Sequence, residues 1–123
     1  MSGTKFLLDT NIALYLLGGD QILAALLDQK EISLSVISEM ELLGYPGITS
    51  TETARIKGFL SDCQIVDLNI FIKELAIEIR KSYQLKLPDA IIAATALHLN
   101  IPLISSDSAF KRLTDMNFVY YEL

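Results

Sequence analysis

Short apolar runs alternate with stretches of helical periodicity along this whole chain, and that alternation restricts the fold more than any single residue does. Lys5–Leu8, Ile32–Ser35, Ile65–Leu68, Leu103–Ser105 and Phe118–Tyr121 are segments of strand length. Between them the pattern predicts helices. Ile12–Leu17 has Thr10 or Asn11 as its cap and stops at Gly18-Gly19, and a second helix runs from about Asp20 to Gln29. Val36–Leu43 is ended by Gly44-Tyr45-Pro46-Gly47, and Thr49–Leu60 starts near Ser50 or Thr51. In Ile70–Tyr83 the residues Phe71, Leu75, Ile79 and Tyr83 recur every fourth position as an apolar face. Pro88 opens a nearly all-apolar helix to about Leu99, the composition of a helix lying on a sheet, and Ser108–Leu113 is a short helix. Strands and helices in this order imply an α/β fold with three α/β/α layers and a mainly parallel sheet of four or five strands. One domain over residues 1–123 is expected, with no internal repeat and no linker.

Composition bounds the function. The longest apolar candidate, Ile12–Leu27, is broken by Gly18-Gly19-Asp20-Gln21 and falls short of the ~18 residues a membrane helix needs. Met1-Ser2-Gly3-Thr4-Lys5 has no signal-peptide anatomy, so a cytoplasmic location without membrane contact is expected. One cysteine and one histidine exclude an internal disulfide and a thiolate or imidazole zinc cluster. A net charge of −5 lacks the basic stripe of a general nucleic-acid binder. Hydrophobic residues at 51% leave apolar surface for a protein partner.

Four acids stand just beyond the apolar runs or in the helices that follow them. Asp9 follows Phe6-Leu7-Leu8, Glu41 comes after Ile32–Ile37, Asp89 precedes Ala90-Ile91-Ile92, and Asp107 follows Leu103–Ser106. In a parallel sheet the carboxyl ends of the strands share one edge, where such acids converge. Each has an ordinary reading as well: Asp9, Asp89 and Asp107 suit helix N-termini, and Glu41 stands three residues after Ser38 as in a capping box. Together they suit a hard divalent cation, which prefers oxygen ligands. Setting these four acids aside leaves 10 basic against 11 acidic residues, close to neutral.

Four segments carry a more specific signal: Leu7-Leu8-Asp9-Thr10-Asn11, Ser38-Glu39-Met40-Glu41-Leu42-Leu43-Gly44, Leu87-Pro88-Asp89-Ala90-Ile91-Ile92-Ala93-Ala94-Thr95-Ala96, and Leu103-Ile104-Ser105-Ser106-Asp107-Ser108-Ala109-Phe110. In order and spacing they resemble the four motifs of PIN-domain ribonucleases, most of all the VapC-type toxins of prokaryotic toxin-antitoxin pairs. The resemblance implies Asp9, Glu41, Asp89 and Asp107 as catalytic metal ligands for Mg2+ or Mn2+. Glu39 competes with Glu41, but two residues apart on a helix they diverge, and the family's glutamate is followed by Leu and soon by Gly. Thr10, Asn11 and Ser105 are candidates to orient the carboxylates. Ser106 departs from the family, many members of which carry Arg or Asn there.

The activity the resemblance implies is hydrolysis of RNA phosphodiesters by a metal-activated water, leaving 5′-phosphate and 3′-hydroxyl ends. Lys81, Lys86, Lys111 and Arg112 are candidate contacts to the RNA backbone, and His98 is expected outside the chemistry. Tyr83, Tyr120 and Tyr121 read as core residues before base-stacking ones. The resemblance also implies a small antitoxin that covers the site, and a homodimer. Leu14, Tyr15, Leu17, Leu26 and Leu27 of the first helices are the expected contact surface. A PIN nuclease of RNA processing without an antitoxin, a receiver-like Mg2+ module and a non-catalytic interaction domain are the alternatives. The receiver reading lacks paired acids at the first strand and a lysine near Phe118–Glu122.

Overall fold

A computed structural model describes residues 4–122. Residues 1–3 and 123, part of the expected domain and N-terminal reading, lie outside the described residues. The strands are β1 (Lys5–Leu8), β2 (Glu31–Ser35), β3 (Gln64–Val66), β4 (Leu103–Ser105) and β5 (Phe118–Tyr120). They form one sheet in the order β3-β2-β1-β4-β5, and every pairing is parallel. The chain starts at the central β1, builds outward through β2 to β3, then crosses back to lay β4 on the other side of β1. Connections leave β1 and β4 in opposite directions, which opens a crevice at the carboxyl ends of these two strands.

Successive strand residues face opposite sides of the sheet, and the two cores follow that alternation. Leu7 and Leu103 face α5 (Ile70–Tyr83) and α6 (Leu87–Leu99), packing with Ile72, Ala76, Ile79 and Ile92. Leu8, Leu34 and Ile104 face the other way, toward α1 (Thr10–Leu17), α2 (Gln21–Leu27), α3 (Val36–Leu43) and α4 (Ser50–Ser61). Three layers result. In α6 every residue from Ala90 to Ala96 is buried, and four are alanines that let the helix lie close to its neighbours. Thr95, the one polar residue of that run, donates its hydroxyl hydrogen to the Ile91 carbonyl at 2.7 Å. Gly44 caps the end of α3, where a Cβ would lie 2.7 Å from the Met40 carbonyl oxygen, so the position calls for glycine.

Several local expectations are corrected. The N-cap of α1 is Asp9, not Thr10 or Asn11; its carboxylate accepts from the Thr10 amide at 2.8 Å. Thr49 caps α4 in a reciprocal box with Glu52, which satisfies two otherwise unpaired amides. The Ser38–Glu41 box does not form: Ser35 caps α3, accepting from the Ile37 amide at 3.1 Å. α2 stops at Leu27, β3 spans Gln64–Val66, and Ser108–Arg112 is a 3-10 helix. Phe71, expected on the buried face of α5, is 62% exposed. Among the described residues no single helix is long and apolar enough to cross a membrane, and α1 and α2 pass such a test only as a pair bent by 110°.

Candidate active site

β1 delivers Asp9 to the crevice in extended conformation, and its amide donates to the Ile104 carbonyl of β4 at 3.0 Å. The side chain is 7% exposed. Oδ1 takes the Thr10 amide, and Oδ2 takes the Ser105 hydroxyl at 2.7 Å. The same Ser105 oxygen accepts the Asp107 amide at 3.0 Å, so one hydroxyl at the end of β4 ties the first acid to the loop that carries the fourth. Asp107 itself caps the 3-10 helix through the Ala109 amide at 2.9 Å and stays exposed. The cap reading and the site reading are therefore compatible for both aspartates.

Glu41 comes from α3, which starts directly at the end of β2 and so rises from the same edge of the sheet. Its Oε1 accepts the Thr10 hydroxyl at 2.7 Å, and that hydroxyl is also 2.9 Å from Ser38 Oγ. Asp89 sits half-buried in the first turn of α6 behind Pro88, where the helix dipole favours an acid.

The charges of the four acids act on one another. Burial raises the Asp9 carboxyl above its ordinary range; hydrogen bonds from Ser105 and Thr10 oppose this, and the charges of Asp107 and Glu41 add to it. Asp89 is pushed up to about 6, first by burial, then by the charges of Asp9, Asp107 and Glu41, with Lys86 opposing. Of the two glutamates of α3, Glu41 is the one whose charge acts on both aspartates. The one ion pair among the described residues joins Lys81 and Glu78 at 3.4 Å, so this cluster of negative charge has no cationic side chain paired with it.

The donor set is carboxylate and hydroxyl oxygen, without sulfur or imidazole, and fits a hard divalent cation. Among the described residues no three His, Cys, Asp or Glu side chains stand close enough together to hold a metal ion as they are placed.

The other expected residues divide. Thr10 and Ser105 touch the acids directly. Asn11 is exposed and makes no side-chain hydrogen bond to them among the described residues. Lys86, the residue before α6, acts on Asp89 through its charge. Lys81 is paired with Glu78, Lys111 lies 4.0 Å over the Tyr120 ring, and Arg112 donates to the Tyr83 carbonyl at the end of α5 at 3.0 Å. His98 stacks on Phe71 with ring centroids 5.7 Å apart, away from the four acids. Tyr83 is packed against the core, Tyr120 is 39% exposed, and the Tyr121 hydroxyl donates to Asp20 at the start of α2 at 2.9 Å. Leu14 and Leu26 are exposed as a contact surface requires, whereas Leu27 is 5% exposed because it fills the core under α2. Ser38, whose Oγ lies 2.9 Å from Thr10 Oγ1, is not among the residues expected from the sequence. Its one signal was the i, i+3 spacing to Glu41, which reads equally well as a capping box.

A family model described as the PIN domain matches residues 6–116. No curated protein matches the chain. Among solved structures, a chain of a toxin-antitoxin complex from Klebsiella pneumoniae is 30% identical with a TM-score of 0.83, over 95% of this chain and 98% of that one. VapBC-1 from nontypeable Haemophilus influenzae is similar at 24% identity and a TM-score of 0.84, over 95% and 98% of the two chains. VapBC2 from Rickettsia felis, bound to a DNA fragment from its promoter, is similar at 21% identity and 0.81, over 97% and 100%. At the last two identities the likeness is one of fold.

Proposed function

This chain belongs to the PIN-domain family, and from that premise we propose that it is the ribonuclease toxin of a toxin-antitoxin pair, hydrolysing RNA phosphodiesters with Mg2+ or Mn2+. The observation that supports the reading is that Asp9 and Asp89 each feel the charges of Glu41 and Asp107, while among the described residues none of the four is ion-paired with a cationic side chain. Those four carboxylates would hold the ion. When bound, it supplies a nucleophile from water at neutral pH and offsets charge on the reacting phosphate.

The chain's own groups prepare that chemistry. Ser105 fixes the buried Asp9 by its hydrogen bond and holds the Asp107 amide with the same oxygen. Thr10 orients Glu41. Asp89, ionised above about pH 6, is the acid whose charge state limits the site at the acidic end. Lys86 is the basic residue we assign to the phosphate backbone near the acids, since its charge already reaches Asp89. Lys81, Lys111 and Arg112 have other partners and join it only if RNA displaces those contacts.

An antitoxin partner is supported by the toxin-antitoxin complex from Klebsiella pneumoniae, 30% identical over nearly the whole chain. We place it on the groove lined by Leu14, Leu42, Tyr45, Ile48 and Ile56, whose rim includes Glu41. A homodimer is supported by large exposed side chains such as Ile22, Ile70 and Phe71; analytical ultracentrifugation of the purified chain tests it through its mass in solution.

The test of activity is cleavage of a labelled structured RNA pool with Mg2+, with Mn2+ and with EDTA, beside Asp9→Asn. Metal-dependent cuts bearing 5′-phosphates, lost in the variant, are expected. A folded, antitoxin-free protein that binds metal and cuts none of several RNAs would replace this reading with that of a binding module.

A further inference from the structure

We infer that Ser38 is a positioning residue of this site, holding Thr10 so that the Thr10 hydroxyl presents Glu41 to the cation. The inference rests on the metal-site reading above and adds a residue to it. Ser38 is 0% exposed and lies on α3 one turn before Glu41. Its Oγ is 2.9 Å from Thr10 Oγ1, across 28 residues of chain, and Thr10 Oγ1 is 2.7 Å from Glu41 Oε1.

The direction of the two bonds follows from counting hydrogens. A hydroxyl has one hydrogen to give, and a carboxylate has none. Thr10 therefore spends its hydrogen on Glu41, and the Ser38 hydroxyl donates to Thr10. Thr10 then accepts one bond and makes one, which fixes both its rotamer and the direction of its O–H. Linked donors polarise one another, so the bond to Glu41 is stronger than an isolated hydroxyl would make.

The relay matters because Glu41 is the exposed glutamate of the four acids. A long exposed side chain loses rotamer freedom when it becomes a ligand. Thr10 and Ser38 impose part of that order beforehand. Ser38 is buried and acts only through Thr10; it touches neither ion nor substrate.

The experiment is calorimetric titration of Mn2+ alone, without RNA, into wild type, Ser38→Ala, Ser38→Thr, Thr10→Val and the Ser38→Ala/Thr10→Val pair, each first checked by thermal melting. Ser38→Ala is expected to remain folded and to bind Mn2+ about 10-fold more weakly, in the range for lost groups that orient a ligand. Ser38→Thr, which keeps the hydroxyl, is expected, where melting shows it folded as wild type, to bind Mn2+ more tightly than Ser38→Ala. In the Thr10→Val background the further change from Ser38→Ala is expected to vanish, because the relay is already cut. Wild-type affinity in folded Ser38→Ala overturns the relay and leaves the metal site standing, as does an equal loss in both backgrounds. A wild type that takes up no Mn2+ overturns the metal site and the relay together.

Discussion

The Ser105 hydroxyl donates to Asp9 Oδ2 at 2.7 Å, joining residues 96 positions apart where neighbouring strands β1 and β4 end. The bond is buried and its acceptor is a carboxylate, so it belongs to the stronger class of protein hydrogen bonds. Ser105→Ala removes it and also deprives the Asp107 amide of its acceptor. Unfolding in urea at pH 7.5 in EDTA is expected to show a loss of about 2 kcal/mol. A loss close to zero would mean that water replaces the hydroxyl without cost.

Phe110 links the core to the fourth acid. It is 0% exposed, packs tilted against Phe118 with centroids 5.9 Å apart, and belongs to the 3-10 helix that Asp107 caps. Phe110→Ala leaves a cavity under that helix and is expected to cost about 3–5 kcal/mol. Mn2+ affinity should fall too, because the loop carrying Asp107 loses its anchor. Phe110→Leu, which refills most of the space, should recover much of both in parallel melting and titration measurements.

The layers were legible because they depend on local pattern. Apolar runs at β1, β2 and β4, and the nearly unbroken apolar stretch of α6, have few alternatives to a sheet with a helix upon it. Phe71 shows where such reading fails. At about 100° per residue, steps of four advance about 40° beyond each full turn, so the line Phe71, Leu75, Ile79, Tyr83 winds around α5 by about 120°. The buried residues Ile72, Ala76 and Ile79 use steps of four and three, which stay close to one line. The acids were legible through their positions after the runs and their resemblance to a known set of motifs. Ser38 was not, because its role depends on a contact with Thr10 that exists only once β2 has been laid beside β1.

Asp89 gives the metal-free protein an unusual pH dependence. Its carboxyl lies at about 6 in the fold against an ordinary 3.8, so between those values the folded chain holds a proton that the unfolded chain has released. Above about 6 the acid is ionised in both states, and its repulsion weakens the fold. Stability therefore rises as pH falls from 7.5 toward 5, and Asp9, raised in the same direction, adds to the effect. Asp20, whose carboxyl is lowered, acts only below its ordinary 3.8, outside this window. Asp89 is partly exposed, so its own contribution is about 1 kcal/mol after solvent screening is discounted. Melting in EDTA at pH 7.5 and 5.5 should show the rise in wild type and a smaller one in Asp89→Asn, with the variant the more stable at pH 7.5.

Lys86 separates two roles that a basic residue near phosphate chemistry can have. Its charge holds the Asp89 carboxyl lower than the other acids would leave it, even before RNA is present. Lys86→Gln removes that charge, so Asp89 retains its proton to higher pH and competes longer with the ion. The acid limb of Mn2+ binding, measured without RNA, is therefore expected to move upward in pH. If Lys86 served only the RNA backbone, KM for RNA would rise while the Mn2+ profile stayed in place. A shift in both indicates that one lysine sets the charge of the acid and recruits the phosphate, as expected where ligand and substrate lie within the same short range of charge screening.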